Sequence, residues 1–120
     1  MEKQLNKSIL ITGCSSGIGA ALVTEFLKQG FLVFGSIRDK KLEAPLKKKY
    51  GNNFVPLVFD VTNYSQISKE YKKVKCTLKG ANLGILINNA GIAKLGPVEH
   101  ISSEEFDLHL KTMVSGLSLI

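Results

Sequence analysis

The residues able to do chemistry begin with Gly13-Cys14-Ser15-Ser16-Gly17-Ile18-Gly19, set directly after the apolar run Ile9-Leu10-Ile11-Thr12. An apolar strand that turns into a helix through glycines leaves the first amides of that helix unpaired, at the positive end of its dipole. That combination suits an anion such as a pyrophosphate and needs no lysine. Gly13 permits the tight turn. Gly17 and Gly19 keep side chains away from the amides and let the helix pack closely. The spacing Gly-x-x-x-Gly-x-Gly differs from the dinucleotide pattern Gly-x-Gly-x-x-Gly, and an ordinary glycine-rich turn is the competing reading.

Three further groups follow. Arg38, the one arginine among 16 basic residues, comes at the end of a second apolar run, Phe31–Ile37. In dinucleotide folds this position faces the adenosine ribose, where an arginine accommodates a 2′-phosphate and an acid favours a free hydroxyl. NADP(H) is therefore favoured over NAD(H), with Asp39 starting the next helix. A surface arginine at a strand end is the alternative. Asp60-Val61-Thr62 closes a third run; its carboxylate either accepts from an adenine amino group or caps the coming helix. Asn88-Asn89-Ala90-Gly91 ends a fourth run with two amides, which need partners if buried.

The elements that must carry these groups alternate strand and helix. Ile18, Leu22 and Phe26, with Val23 and Leu27 beside them, form one buried helical face, and Gly30 stands at the C-terminal cap. Lys40–Tyr50 reads as a short basic helix interrupted at Pro45. The run 54–59 reads as a strand whose Pro56 puts it near a sheet edge. Ile67, Tyr71, Val74 and Leu78 give a packing helix, and 84–91 a fourth buried strand. Ser102 and Glu105 have capping-box spacing, and Phe106, Leu110, Met113, Leu117 and Ile120 continue at helical intervals to the last residue. The expected fold is α/β, a doubly wound parallel sheet of order 3-2-1-4.

Composition sets bounds. A chain of 120 residues, 44% hydrophobic and 22% charged, is one small globular domain. The net charge of +6 raises the possibility of nucleic acid, but Lys47-Lys48-Lys49 and Lys72-Lys73 with Lys75 lack interleaved aromatics and read as solvated helix faces. A weaker reading is a field that draws in an anionic cofactor. No membrane span or signal peptide is evident, so the expected location is the cytoplasm. Cys14 and Cys76 have no metal-ligand spacing and read as free thiols. For Cys14, a pKa lowered by the helix dipole competes with the plainer reading of a small residue that fits. His100 and His109 read as surface residues.

With these residues in hand, the sequence resembles the short-chain dehydrogenase/reductase family over its whole length. Thr12–Gly19 looks like that family's cofactor loop, Asp60-Val61 like its adenine-contacting pair, and Asn88–Gly91 like its fourth-strand signature. The loop, Ile37-Arg38-Asp39 and Leu95–Glu99 look most like NADP-preferring members acting on hydroxysteroids, retinoids or other lipophilic carbonyls. The resemblance implies a Rossmann fold in which Gly13, Ser15, Ser16, Gly17, Ile18 and Gly19 line the pyrophosphate and adenosine ribose. Ser15 and Arg38 would hold the 2′-phosphate, Asp60 and Val61 the adenine, and Asn88, Ala90 and Gly91 the nicotinamide-side ribose.

The family's catalytic serine and Tyr-x-x-x-Lys would fall after Ile120, so the resemblance implies residues 1–120 to be an incomplete cofactor-binding domain that is inactive alone. No catalytic residue is expected within it. Met113 stands where the family's helical asparagine supports a proton relay. The leading expectation is an NADP(H)-dependent oxidoreductase represented by its cofactor-binding half. Its partners would be the dinucleotide and a lipophilic carbonyl or alcohol, with a homo-oligomer or a companion chain covering the open sheet edge. The alternatives are a non-catalytic nucleotide-binding or regulatory module and a decayed gene product.

Overall fold

A computed structural model describes residues 6–92, 96–116 and 120. Leu95 and Leu117, singled out above, lie outside the described residues. Strands β1 (Ser8–Ile11), β2 (Leu32–Ile37), β3 (Phe54–Val58) and β4 (Ile85–Ile87) alternate with helices α1 (Gly17–Lys28), α2 (Glu43–Tyr50), α3 (Tyr64–Leu78) and α4 (Ser103–Leu110). The four strands are parallel in the order β3-β2-β1-β4, the Rossmann arrangement expected from the alternation.

Each face of the sheet has its own core. On one, Ile9, Ile11, Val33 and Ile37 pack beneath α1 and α2 through Val23, Leu22, Phe26 and Leu46. On the other, Leu10, Phe34 and Leu57 pack beneath α3 through Ile67, Val74 and Leu78. β1 and β2 are buried almost throughout because they are central and covered on both sides. β4 is shorter than the 84–91 run suggested, and Leu86 on it is 42% exposed.

The two edges are treated differently. β3 carries Pro56, as an edge strand can, and its outward backbone groups are taken by side chains. Lys47 Nζ donates to the Phe54 carbonyl (2.6 Å) and Lys73 Nζ to the Pro56 carbonyl (2.7 Å), while the Val58 amide donates to Glu70 Oε2 (3.3 Å). Lys47 and Lys73 are thus bound to an edge strand rather than simply solvated, and Lys73 is also 3.5 Å from Glu43. Among the described residues no such cover reaches the outer edge of β4, which is left open for pairing.

Four local expectations are corrected. Pro45 does not interrupt a helix: a 3-10 turn at Lys40–Leu42 precedes α2, and Pro45 falls in the first turn of α2, where its missing amide costs little. Ile18 is 73% exposed rather than buried; in the first turn of α1 it is Gly19 that faces inward, against Gly13. Tyr71 is also exposed, since no described element covers that flank of α3. The last helix is not regular to its end: after the Ser102–Glu105 capping box and α4, Lys111–Ser115 form a π-turn. There the Gly116 amide donates to Lys111 O. A β-carbon at Gly116 would sit 2.8 Å from both Lys111 O and Val61 O, so the widened turn lies where the chain passes close to the end of β3.

Candidate nucleotide-binding site

The C-terminal ends of the parallel strands meet at a cleft of about 230 Å³. Its wall holds Gly13, Ser15 and Ser16 from the loop after β1, and Arg38 at the end of β2. Asp60 and Val61 follow β3, and Ala90 and Gly91 follow β4. These eight residues, read from four separate stretches of sequence, are brought together. Gly17, Ile18, Gly19 and Asn88 do not line it. Asn88 is exposed, and Met113 is 47% exposed, with its sulfur 3.0 Å from where a β-carbon on Gly91 would be.

The glycine loop is held by a small set of hydrogen bonds. Gly13 takes φ +72°, and a β-carbon there would lie 2.9 Å from the Ala90 Cα. Gly19 is tighter: its β-carbon would fall 2.0 Å from Gly13 O and 2.8 Å from Asn89 Nδ2. This is the close approach of α1 to the loop that the third glycine permits. Ser16 caps α1 without a side-chain hydrogen bond, and the first turn of the helix has no acidic residue. The unpaired amides there keep their full positive character for an anion. Around Gly17 there is open space where a side chain would go, as a ligand approaching those amides requires.

Buried hydroxyls fix the strand ends. Thr12, fully buried, accepts from the amides of Asn89 (3.0 Å) and Ala90 (2.9 Å), while Asn89 Nδ2 donates to Gly13 O (3.1 Å). The amides of the fourth-strand signature therefore find their partners in the glycine loop, through Asn89 rather than Asn88. Ser36, 2% exposed, accepts from the Gly13 amide through its Oγ (3.1 Å) and from the Cys14 amide through its carbonyl (2.9 Å).

Cys14 is not a reactive thiol. Its side chain is buried against β2 and donates to Ile11 O at 3.0 Å. Burial pushes its pKa up to about 12, against a smaller lowering by a Ser36 backbone group. The plainer reading stands: a small apolar group that fits beside Gly35, whose own β-carbon would collide with the Phe54 ring at 2.5 Å.

The rim supplies charge. Arg38 is exposed at the end of β2, and Asp39 accepts from the Lys41 amide at 2.9 Å, which starts the turn as expected. Asp60 does not cap α3; Asn63 does, accepting from the Gln66 amide. Asp60 Oδ1 instead accepts from the amide and hydroxyl of Thr62, and that fixes the carboxylate at the cleft wall. His109 Nδ1 pairs with Glu105 O on α4. Among the described residues no cluster of His, Cys, Asp and Glu could hold a metal ion, and no helix is long and apolar enough to cross a membrane.

Sequence reasoning did not single out Ser36, Phe59, Leu108 and Thr112 as wall residues. Ser36 and Phe59 lie in or beside strand runs where either would pass as filler. Thr112 is buried at the π-turn, next to the Met113 position that drew attention and four residues after Leu108, so the two share the face toward the cleft.

Comparison with known proteins gives the family. A family profile described as short chain dehydrogenase matches residues 7–120. An NADPH-dependent 3-dehydrocapnine reductase of Ornithobacterium rhinotracheale is 43% identical over 96 residues, 80% of this chain and 34% of that protein. The NADPH-bound carbonyl reductase from chicken fatty liver superposes with a TM-score of 0.84 at 29% identity, covering 94% of this chain and 45% of that one. A 3-ketoacyl-(acyl-carrier-protein) reductase from Brucella melitensis, complexed with NADH, superposes with a TM-score of 0.84 at 28% identity, covering 93% and 46%. The chain thus spans about a third of that curated relative and under half of those solved structures. On its profile match and its parallel β3-β2-β1-β4 sheet, this chain belongs to the short-chain dehydrogenase family.

Proposed function

We propose that residues 1–120 form the cofactor-binding part of an NADP(H)-dependent oxidoreductase acting on a carbonyl or alcohol substrate. The observation that carries this reading is the convergence, at one cleft, of the Gly13–Ser16 loop leading into the acid-free start of α1, with Arg38, Asp60-Val61 and Ala90-Gly91. The loop amides and the dipole of α1 would hold the pyrophosphate, with Gly17 leaving room for it and Gly19 holding the helix close. Ser15 and Arg38 would take the 2′-phosphate, the guanidinium as a bidentate donor. Asp60 and Val61 would meet the adenine, and Asn88, Ala90 and Gly91 the second ribose, with Ser16 and Ile18 bordering the phosphates. A nicotinamide cofactor bound there supplies or receives a hydride at a carbonyl carbon.

The one Tyr-x-x-x-Lys in the sequence, Tyr71 with Lys75, lies on α3 and does not line the cleft, so it is not a pair that would move the proton there. The chain's own part is to bind and orient, and alone it should bind nucleotide and catalyse nothing. An apolar groove of about 370 Å³ beside α3, lined by Leu10, Leu57, Val74, Leu78 and Leu86, supports the view that further polypeptide completes the sheet beyond β4. One observation favours a second reading, a non-catalytic nucleotide-binding module: Met113, where the family has its asparagine, packs at Gly91 and cannot order a water with its side chain. A soluble, cytoplasmic location accompanies either reading.

Calorimetric titration of the chain with NADPH and NADH, repeated on Arg38→Asp, tests the proposal. Losing a charge-assisted hydrogen bond to phosphate costs about 1.5–3 kcal/mol, roughly ten- to a hundredfold in affinity. NADPH binding should weaken by that much and NADH binding by far less. An unchanged NADPH/NADH ratio removes Arg38 from the site. Carbonyl reduction by the chain alone, lost on Gly17→Trp, would overturn its assignment as a binding half.

A further inference from the structure

Of the four buried hydroxyl residues, Thr112 belongs to the π-turn at the cleft, and the three at the ends of the sheet differ in one respect. Ser8 accepts from the Gly84 amide (3.0 Å) and Thr12 from those of Asn89 and Ala90, and neither lines the cleft. Ser36 accepts from the Gly13 amide and does line it, between the glycine loop and Arg38. A serine hydroxyl has one proton to give besides the lone pairs that accept. Among the described residues none of the three protons has an acceptor, and of the three only that of Ser36, 2% exposed, borders a cleft from which one could come. A buried polar proton without an acceptor is costly unless something in the cleft receives it. On the loop side the surroundings favour an anionic acceptor: amides of the Gly13 turn, the guanidinium of Arg38 just past β2, and no acidic group in the first turn of α1, the one carboxylate of the wall, Asp60, being engaged by the amide and hydroxyl of Thr62.

We infer that Ser36 is a binding residue of the cleft, its hydroxyl receiving the Gly13 amide on one side and donating to a phosphoryl oxygen of the bound nucleotide on the other. The inference rests on the nucleotide reading above and adds to it a residue inside β2. One side chain then couples loop to ligand. With the Gly13 amide already bound to Ser36, the loop meets a phosphate in a fixed shape, and the phosphate in turn completes the hydroxyl that holds the loop.

The test compares the 120-residue chain with its Ser36→Ala and Ser36→Cys variants, in conditions where circular dichroism shows all three folded. NADPH affinity is measured by titration and amide protection by hydrogen exchange. Ser36→Ala should raise the NADPH Kd about tenfold and speed exchange at Gly13 about tenfold, with the Val33 and Ile11 amides unchanged. Ser36→Cys, which fills the space but donates weakly, should bind like Ser36→Ala. A variant that loses protection throughout the sheet yet keeps its NADPH affinity has shown a structural role only and overturns the inference. Unchanged Gly13 exchange overturns the loop contact. If the parent chain itself fails to bind NADPH while Gly13 still loses protection in Ser36→Ala, the nucleotide reading falls together with the ligand contact, and the loop contact stands.

Discussion

Gly19→Ala isolates the packing on which the loop depends. A methyl at this position would lie 2.0 Å from Gly13 O, and that neighbour is backbone, which cannot swing aside as a side-chain tip can. Asn89 Nδ2, at 2.8 Å from the same methyl, is itself tied to Gly13 O, so relief by moving it breaks the bond between the two motifs. Overpacking in a core costs typically 1–3 kcal/mol, and a backbone clash belongs at the upper end, about 3 kcal/mol. For a domain of this size that is roughly a 12 °C fall in Tm. Gly17→Ala is the control: its φ of +60° makes alanine unfavourable, but nothing lies within 4 Å of the added carbon, so the cost should be the backbone term alone, about 1–2 kcal/mol. Urea denaturation of both variants measures the difference. A Gly19→Ala chain within about 0.5 kcal/mol of the parent, or less destabilised than Gly17→Ala, would refute the close approach of α1 to the loop.

Three further outcomes follow from the buried hydroxyl of Thr12 and the buried thiol of Cys14. Thr12→Val keeps the shape but leaves the Asn89 and Ala90 amides without their acceptor, which should cost about 2–4 kcal/mol by urea denaturation, whereas Thr12→Ser should stay near the parent. The Cys14 thiol, raised from 9.0 to about 12 in the folded chain, stays neutral while the unfolded chain ionises. Its contribution to stability is therefore complete below pH 9 and declines above it by about 1.4 kcal/mol per pH unit until the folded group titrates. The difference in stability between the parent and Cys14→Ala should narrow from pH 9 to pH 11. At neutral pH a thiol reagent should modify the exposed Cys76 at once and Cys14 only after unfolding; two fast-reacting thiols would contradict the burial.

The fold was legible because its signals are periodic and strong. Continuous apolar runs for β1 and β2, glycines at the turns and capping residues at the helices all point one way, and Pro56 indicated an edge that the sheet order bears out. What escaped depended on the third dimension. Ile18 fits the helical stripe, but in the first turn of α1 it is Gly19 that faces inward. Lys47 and Lys73 look like solvent charges until β3 presents its unpaired carbonyls to them. The site was legible as four motifs, while the short polar side chains that bind those motifs together were less so. Ser36 in an apolar strand carries no pattern of its own, and Thr112 is marked only by its i, i+4 relation to Leu108. Of the two adjacent asparagines only the fold selects Asn89 as the one that reaches the glycine loop.

The most direct test of nucleotide binding at this cleft is a titration of the isotope-labelled chain with NADPH, followed amide by amide in nuclear magnetic resonance spectra. The account predicts saturable shifts at Gly13–Gly19, Ser36–Arg38, Asp60-Val61 and Asn89–Gly91, with the α3 groove residues Tyr71, Val74 and Leu78 unmoved. Shifts confined to the α3 groove, or none at millimolar NADPH in a folded chain, would contradict it.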